Sequence, residues 1–444
     1  MYASLRERRS CVPNSSRAHY KSALLVRNGQ CPNQGPGPSP NQAPGSLILS
    51  PRAAVLAFAV MRPVVILVSL LVAISVHAQE EITWRSEFGL AQAAAESGDL
   101  AAYLDHAARA VELGPDPLGR PFVMYHAARA AALGGDHDAA LSMLRRIWDE
   151  GIEGPMATIA EEDPAFADTR ELPGFVDFMK KVDNLELVVV PVIERVVQIE
   201  GAGCNLAAWI GDHEILLVDT GYPRVAASVR NALDAVAEAK PIRTIINTHE
   251  HTDHVGGNVL LGDAATIIAH PHARDAASKE QEFVHDFNLA AIPHDGLPQL
   301  TTAGSMTIHL DGETVLIHSL PAHTKGDLVV QFVESNVVHM GDNYFPGISS
   351  RLFPGAEIDL YFAAMSRVME GVDEETRVIS GHRPIVGGRD LIAAYESSRA
   401  IYDFVTLAIA AGESLETTLA KGAEKELPPD WIGYYYNTLS SGQE

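Results

Sequence analysis

The sequence contains very little cysteine. Only Cys11, Cys31 and Cys204 occur among its 444 residues. Three scattered thiols are too few for a disulfide framework or for a zinc site built from several cysteines. Any metal site in this protein must therefore use histidine and carboxylate ligands.

Basic residues are also scarce. The sequence has 33 lysines and arginines against 57 aspartates and glutamates, a formal net charge of -24 at pH 7. Because an acidic surface repels polyanions, we expect no nucleic-acid partner. The overall composition, 47% hydrophobic and 20% charged residues, is ordinary for a globular protein, and the length suggests about three structural units.

The apolar run at 64–76 is shorter than the ~20 residues that a membrane-spanning helix needs, so we expect no stable membrane span. Met61-Arg62-Pro63 precedes the run, and Val76-His77-Ala78 follows it. A basic start, a short apolar run and a small-residue end are typical of a secretory signal. We therefore predict a signal peptide at 61–78, with synthesis starting at Met61 and a periplasmic or secreted mature protein.

Residues 1–60 are rich in proline, glycine, asparagine and glutamine and show no apolar period. We interpret them as a disordered or misannotated extension. Residues 1–78 hold eight of the 33 basic residues and one of the 57 acidic residues, so the predicted mature chain is even more acidic than the whole. It also keeps a single cysteine, Cys204, and can form no internal disulfide.

The segment 79–186 is rich in alanine, with apolar residues at the three-and-four spacing of amphipathic helices. Two stretches align at an offset of 37 residues, which places Gly98-Asp99 over Gly135-Asp136. Tetratricopeptide helix pairs repeat at ~34 residues, so we predict a small all-α, repeat-like domain. Two uses remain open: a docking surface for a protein or peptide partner, or a helical cap on the next domain.

From 187 to 444 the pattern changes to short β-branched runs bounded by glycine, proline, aspartate or asparagine. The runs include 215–218, helical stretches such as 226–239 lie between some of them, and a helical pattern returns at 389–419. The alternation predicts an α/β domain in which helices cover packed sheets.

The sequence THEHTDHVGGN at 248–258 directly follows one predicted strand. It brings three imidazoles and a carboxylate within six residues, and these are the ligands that a catalytic zinc accepts when sulfur is absent. His249 and His251 can reach one metal, while Asp253 and His254 can turn toward a second. The stretch therefore predicts a metal site.

This H-x-H-x-D-H pattern resembles the signature of the metallo-β-lactamase superfamily. Four further motifs resemble that family and occur in its order: LVDTG at 217–221, PAHTKGD at 321–327, MGDN at 340–343 and SGH at 380–382. The resemblance implies a metallo-β-lactamase αββα sandwich over residues 187–444, preceded by the small helical domain.

The resemblance also implies a ligand set for two zinc ions, with iron or manganese as the alternative metals. It assigns His249, His251 and His323 to one ion, Asp253, His254 and His382 to the other, and Asp342 as the bridge. A metal-bridging hydroxide would then attack the substrate, with Asp253 orienting it or relaying a proton, so Asp253, His249 and His251 are the expected catalytic residues.

The motifs also indicate roles for three further residues. Asp219 is expected to support the metal loop behind the ligands. Asn343 and Tyr344, directly after Asp342, are placed for substrate contact.

The resemblance leaves the small-molecule substrate open among esters, thioesters, lactones and lactams. Asp342 fills a bridging position that resembles glyoxalase-II-like thioesterases and lactonases, which makes β-lactam hydrolysis of the class B type the alternative. A hypothesis of another class is a non-catalytic metal-binding scaffold with a partner-docking helical module. A structural zinc site is normally closed by four ligands, whereas this set leaves both metals open, which favours the enzyme.

Overall fold

The computed structural model of the protein describes residues 82–116, 119–346 and 358–441. The predicted extension at 1–60 and signal peptide at 61–78 lie outside these residues. No helix in the described part of the chain combines the length and the apolar character that crossing a membrane requires.

The described chain begins with two helical hairpins, Trp84–Ser97 with Leu100–Glu112 and Arg120–Leu133 with His137–Trp148. Asp99 and Asp136 cap the second helix of each hairpin, because their side chains accept a backbone N–H three residues on. The sequence offset of 37 residues therefore relates equivalent turns. The likeness to tetratricopeptide repeats stays a prediction.

Short helices connect the hairpins to the first strand. They are the 3₁₀ helices Gly151–Glu161 and Pro164–Phe166, then the α-helices Ala167–Arg170 and Pro173–Asp183. Together with the hairpins they form the helical region, residues 84–183. Fully buried side chains of the helical region, such as Ile147 and Phe166, belong to the same hydrophobic cluster as Ile199 and Leu206 of the first sheet. The helical region and the body thus share one core.

The first sheet has seven strands in the order β1-β2-β3-β4-β5-β6-β9. Pairing is antiparallel from β1 to β4 and parallel from β4 onward. A separate hairpin is formed by β7 and β8. The bounds are β1 Val188–Ile193, β2 Val196–Glu200, β3 Leu206–Ile210, β4 Ile215–Val218, β5 Ile242–Ile246, β6 Thr266–Ala269, β7 Gln281–Val284, β8 Phe287–Leu289 and β9 Leu300–Thr301.

The second sheet has six strands in the order β10-β11-β12-β13-β14-β15. All neighbours are antiparallel except β13 and β14. The bounds are β10 Ser305–Leu310, β11 Glu313–Ser319, β12 Leu328–Phe332, β13 Val337–His339, β14 Arg377–Ile379 and β15 Val386–Gly387.

The two sheets pack face to face through buried apolar side chains, among them Trp209 and Ile246 of the first sheet and Ile317 and Phe332 of the second. Helix Ala226–Ala237 covers the outer face of the first sheet, and Ile358–Met369 packs on the second. The predicted αββα sandwich is therefore confirmed. The remaining described helices are Pro223–Val225, Thr252–Val255, Asn258–Leu261, Pro271–Ala277, His294–Gly296, Gly341–Asn343, Gly388–Ala410, Leu415–Glu424 and Pro429–Ser441.

This topology gathers the predicted ligand motifs. Strands β4 and β5 are parallel, so the loops after them, which carry Asp219 and the 248–254 stretch, emerge at one edge. Strands β13 and β14 are parallel as well, and Asp342 and His382 follow them at the corresponding edge of the second sheet. His323 lies in the loop before β12.

Candidate metal centre

Asp219 holds the loop that carries four of the predicted ligands. Its buried carboxylate accepts the backbone N–H of Thr248 at 2.7 Å and the hydroxyl of Thr248 at 2.8 Å. Its Oδ2 atom also lies 2.8 Å from Nδ1 of His254. With Nδ1 engaged in this way, the Nε2 atom of His254 faces the other ligands.

One ligand group combines three imidazoles with a carboxylate. The ligand atoms of His249, His251, His323 and Asp342 all lie within 4.8 Å of one another. Nε2 of His249 and Nε2 of His323 are 3.0 Å and 3.2 Å from Nδ1 of His251. The three ring nitrogens therefore converge on one small volume.

A second ligand group lies beside the first. Asp253, His254 and His382 also place their ligand atoms within 4.8 Å of one another. Oδ2 of Asp253 is 3.3 Å from Nε2 of both histidines. Two carboxylate-imidazole contacts of this kind form a second convergent set.

Asp342 faces both groups. Its Oδ2 atom lies 3.6 Å from Nε2 of His323 and 3.2 Å from Nε2 of His382, and its Oδ1 atom lies 3.5 Å from Nε2 of His254. A Cβ at Gly381 would lie 2.0 Å from Oδ1 of Asp342. Only glycine at 381 therefore leaves space for the carboxylate between the two groups.

Burial and charge set the protonation of these ligands. Burial lowers the pKa of His249 well below its usual range and lowers that of His323 to about 4. Burial alone would raise the pKa of Asp342, but the neighbouring His382 and His254 hold it well below its usual range. Burial alone would lower the pKa of His254 and His382, but negatively charged neighbours such as Asp342 raise it well above its usual range. The neutral imidazoles of His249 and His323 present lone pairs beside the ionised carboxylate of Asp342.

The residues present fit a pair of divalent cations. Five imidazoles and two carboxylates match the nitrogen and oxygen ligands that zinc and related metals accept. Within the described part of the chain, the buried Oδ1 atom of Asp342 has no hydrogen-bond partner. Nε2 of His254, 3.5 Å away, is too far for a good hydrogen bond, and a cation between the two groups would give this oxygen a close positive partner.

The two residues predicted for substrate contact are engaged differently. Oδ1 of Asn343 lies 3.3 Å from the backbone nitrogen of His323, whose N–H it accepts, and its Nδ2 atom donates to the carbonyl of Met340 at 3.1 Å. Tyr344 is buried and lines a cavity of about 310 Å³ together with Tyr361 and Asp390. Their contact with substrate stays a prediction.

Two residues that contact the metal centre, Glu153 and Cys204, are not among the site residues predicted from the sequence. Oε1 of Glu153, from the 3₁₀ helix Gly151–Glu161, lies 2.5 Å from Nδ1 of His382. The thiol of Cys204 donates to the carbonyl of Asp253 at 3.1 Å, and burial raises its pKa to about 12. No local spacing links Glu153 to His382, so a motif could not indicate this pair.

Residues 204–382 match the model of the metallo-beta-lactamase superfamily. The matched residues include all seven predicted metal ligands.

Two curated relatives show the range of the similarity. The chain is 29% identical to the alpha subunit of 2,4-dinitroanisole O-demethylase from Nocardioides sp. (strain JS1661), over 41% of this chain and 55% of the relative. It is 29% identical to a hydroxyacylglutathione hydrolase from Synechococcus sp. (strain JA-3-3Ab), over 42% of this chain and 67% of the relative. The chain thus spans little more than half of the first relative's length and about two thirds of the second's.

Among solved structures, the chain is similar to the stereoselective inverting sec-alkylsulfatase from Pseudomonas sp., with a TM-score of 0.40 and 17% identity, over 58% of this chain and 49% of that one.

Proposed function

We propose that the protein is an exported metallo-hydrolase that cleaves an ester, thioester, lactone or lactam with the help of two divalent cations. The observation that carries this proposal is the position of Asp342, whose two oxygens face both ligand groups. Two cations held by these two ligand groups would lower the pKa of a shared water molecule and supply hydroxide for attack on a carbonyl carbon.

The residues of the two groups would bind the cations and orient the attacking water. His249, His251 and His323 would hold one cation, Asp253, His254 and His382 would hold the other, and Asp342 lies between the two groups. Burial alone would raise the pKa of Asp253, but His254 and His382 lower it. An ionised Oδ2 atom at this place can orient the attacking water and accept its proton, which is the role that we assign to Asp253.

The substrate class follows from the relatives and the ligand set. Several curated relatives are named hydroxyacylglutathione hydrolases, which supports an acyl compound as substrate. The carboxylate of Asp342 between the groups favours thioester or lactone cleavage over β-lactam cleavage. We propose zinc as the metal, because its borderline character suits imidazole and carboxylate ligands together.

The test is a substrate panel on zinc-loaded protein recovered from the periplasm or the medium. N-terminal sequencing of that protein should begin at Gln79. The panel holds an ester, a thioester, a lactone and a cephalosporin, and we expect turnover on at least one. His323→Ala should lower kcat/KM more than the ~10- to 100-fold that loss of an outer-shell partner costs, because it removes a direct ligand.

The matched control is His309→Ala, since His309 is exposed on β10 and lies outside both ligand groups. It should leave turnover unchanged. Zinc-loaded wild-type protein that is inert on all four substrates would overturn the hydrolase proposal and support the scaffold hypothesis. Recovered protein that begins upstream of Met61 would overturn the predicted start at Met61 and the removal of residues through Ala78. Protein found only in the cytoplasm would overturn the proposal of export.

A further inference from the structure

The two histidines of the second ligand group each have a carboxylate on the side away from the metal position. Nδ1 of His254 lies 2.8 Å from Oδ2 of Asp219, and Nδ1 of His382 lies 2.5 Å from Oε1 of Glu153. In both rings Nε2 faces Asp253 and Asp342. Each histidine thus has a carboxylate within ion-pair distance of its Nδ1 atom.

The two carboxylates come from different parts of the chain. Asp219 follows β4 inside the sandwich, whereas Glu153 belongs to the 3₁₀ helix Gly151–Glu161 of the helical region. The helical region therefore reaches the metal centre with a charged side chain. Neither a docking surface nor a simple cap requires that contact.

The segment around Glu153 is held in place by packing. Ala157 and Ala160 of the same 3₁₀ helix are fully buried in the cluster that includes Ile199 of the first sheet. A Cβ at Gly154 would lie 2.5 Å from the carbonyl oxygen of Trp148, so the chain next to Glu153 passes very close to the preceding helix. The Glu153 side chain itself is only 16% exposed.

We propose that Glu153 is a positioning residue that orients His382 and so makes the helical region a component of the metal centre. A carboxylate on the far nitrogen of a metal-binding imidazole fixes the ring and its tautomer and raises the basicity of the nitrogen that binds. The proposal rests on the metal centre of the proposed function. It assigns Glu153 to one of the two ligand groups, that of Asp253, His254 and His382.

Metal affinity, measured on the full mature chain, tests this assignment directly. Zn²⁺ is titrated into metal-free protein in competition with a chromophoric chelator, which gives two dissociation constants. Glu153→Gln keeps the shape of the side chain and removes its charge. We expect one constant to weaken by about 10- to 100-fold while the other stays unchanged.

Two further variants sharpen the experiment. Glu162→Gln is the matched control, because Glu162 caps the same 3₁₀ helix and is exposed; both constants should stay at the wild-type values. Glu153→Asp keeps the charge and should weaken the same constant less than Glu153→Gln. If Glu153→Gln does not fold, the dissociation constants of Glu153→Asp provide the test.

A cobalt-loaded sample gives a second readout, since the visible absorption of Co²⁺ reports its ligand geometry. We expect Glu153→Gln to change the band of one cobalt ion only. Unchanged constants and spectra in Glu153→Gln and Glu153→Asp would overturn the role of Glu153 and leave the proposed function standing. Wild-type protein that binds no metal would instead refute the proposed function.

Discussion

At the scale of single residues, Asp219 carries a large share of the local order. Its backbone adopts a left-handed conformation with φ of 61°, which aspartate tolerates better than most residues. Its carboxylate, fully buried, meets two donors of Thr248 and the ring of His254. One side chain thus fixes both the loop backbone and a metal ligand.

Removal of this carboxylate should be costly. Asp219→Ala removes the acceptor of the buried backbone N–H of Thr248 and the partner of Nδ1 of His254, whereas the Thr248 hydroxyl still has His249 within reach. Each buried donor left unsatisfied costs about 1–3 kcal/mol, so we expect the free energy of unfolding to fall by about 2 kcal/mol or more. Guanidinium unfolding of metal-free protein measures it. Asp212→Ala, which breaks the exposed pair with Arg195, should cost no more than about 1 kcal/mol. Equal losses in the two variants would refute the role of Asp219.

The sequence could indicate candidate ligands that lie in local motifs, but not their partners from distant segments. The 248–254 stretch could be recognised because its ligands are close in sequence. Glu153 could not, because its partner His382 is distant in the chain and only the fold brings them together. The amide of Asn343, predicted to contact substrate, is hydrogen-bonded to the backbone, and its contact with substrate stays a prediction.

At the scale of elements, an ion-pair network that is buried at Arg129 and Asp163 and exposed at Asp286 joins the helical region to the body. The guanidinium of Arg129, from helix Arg120–Leu133, lies 2.9 Å from Asp163 and 2.6 Å from Asp286 in the β7–β8 turn. In the same hairpin, Gln281 donates to the carbonyl of Glu250 between two ligands. The helices, the hairpin and the metal loop are therefore connected by direct contacts.

His126, on the helix of Arg129, should make the protein sensitive to acid. Burial, reinforced by the Arg129 charge, lowers the pKa of His126 to about 4. Between its unfolded pKa of about 6.5 and pH 4, only the unfolded chain takes up this proton, so stability falls as pH falls. The shift corresponds to a contribution of about 3 kcal/mol.

His126→Phe should remove this part of the acid sensitivity, since a phenyl ring fits among Phe88, Phe122 and Tyr103 but binds no proton. Urea unfolding of metal-free protein at pH 7.5 and pH 4.5 measures the difference. We expect a smaller loss of stability in the variant than in the wild type. Equal losses in both proteins would contradict the assignment.

Element prediction worked where composition and period agreed. The run Ile215–Val218 is β-branched and apolar, and it forms β4 within those bounds. Strand β3, Leu206–Ile210, contains two alanines and lacked the β-branched signal, so packing between sheets rather than propensity decides it. The helix predicted at 226–239 ends at Ala237 because Glu238 and Ala239 adopt positive φ.

At the scale of the whole molecule, the boundary between the predicted units at 79–186 and 187–444 crosses a continuous hydrophobic cluster. The residue pattern changes at that point because helices are followed by strands. The pattern does not reveal whether the two parts have separate hydrophobic cores. The shared core and the contact of Glu153 with His382 explain how the helical region can act on the metal centre.

The number of metal ions bound per chain tests the account most directly. Purified mature protein is loaded with zinc, dialysed against metal-free buffer and analysed for zinc and protein together. Seven converging ligands predict about two equivalents per chain, and His249→Ala should bind fewer. Wild-type protein that retains no zinc, or one equivalent only, would contradict the two-metal centre on which the proposed function rests.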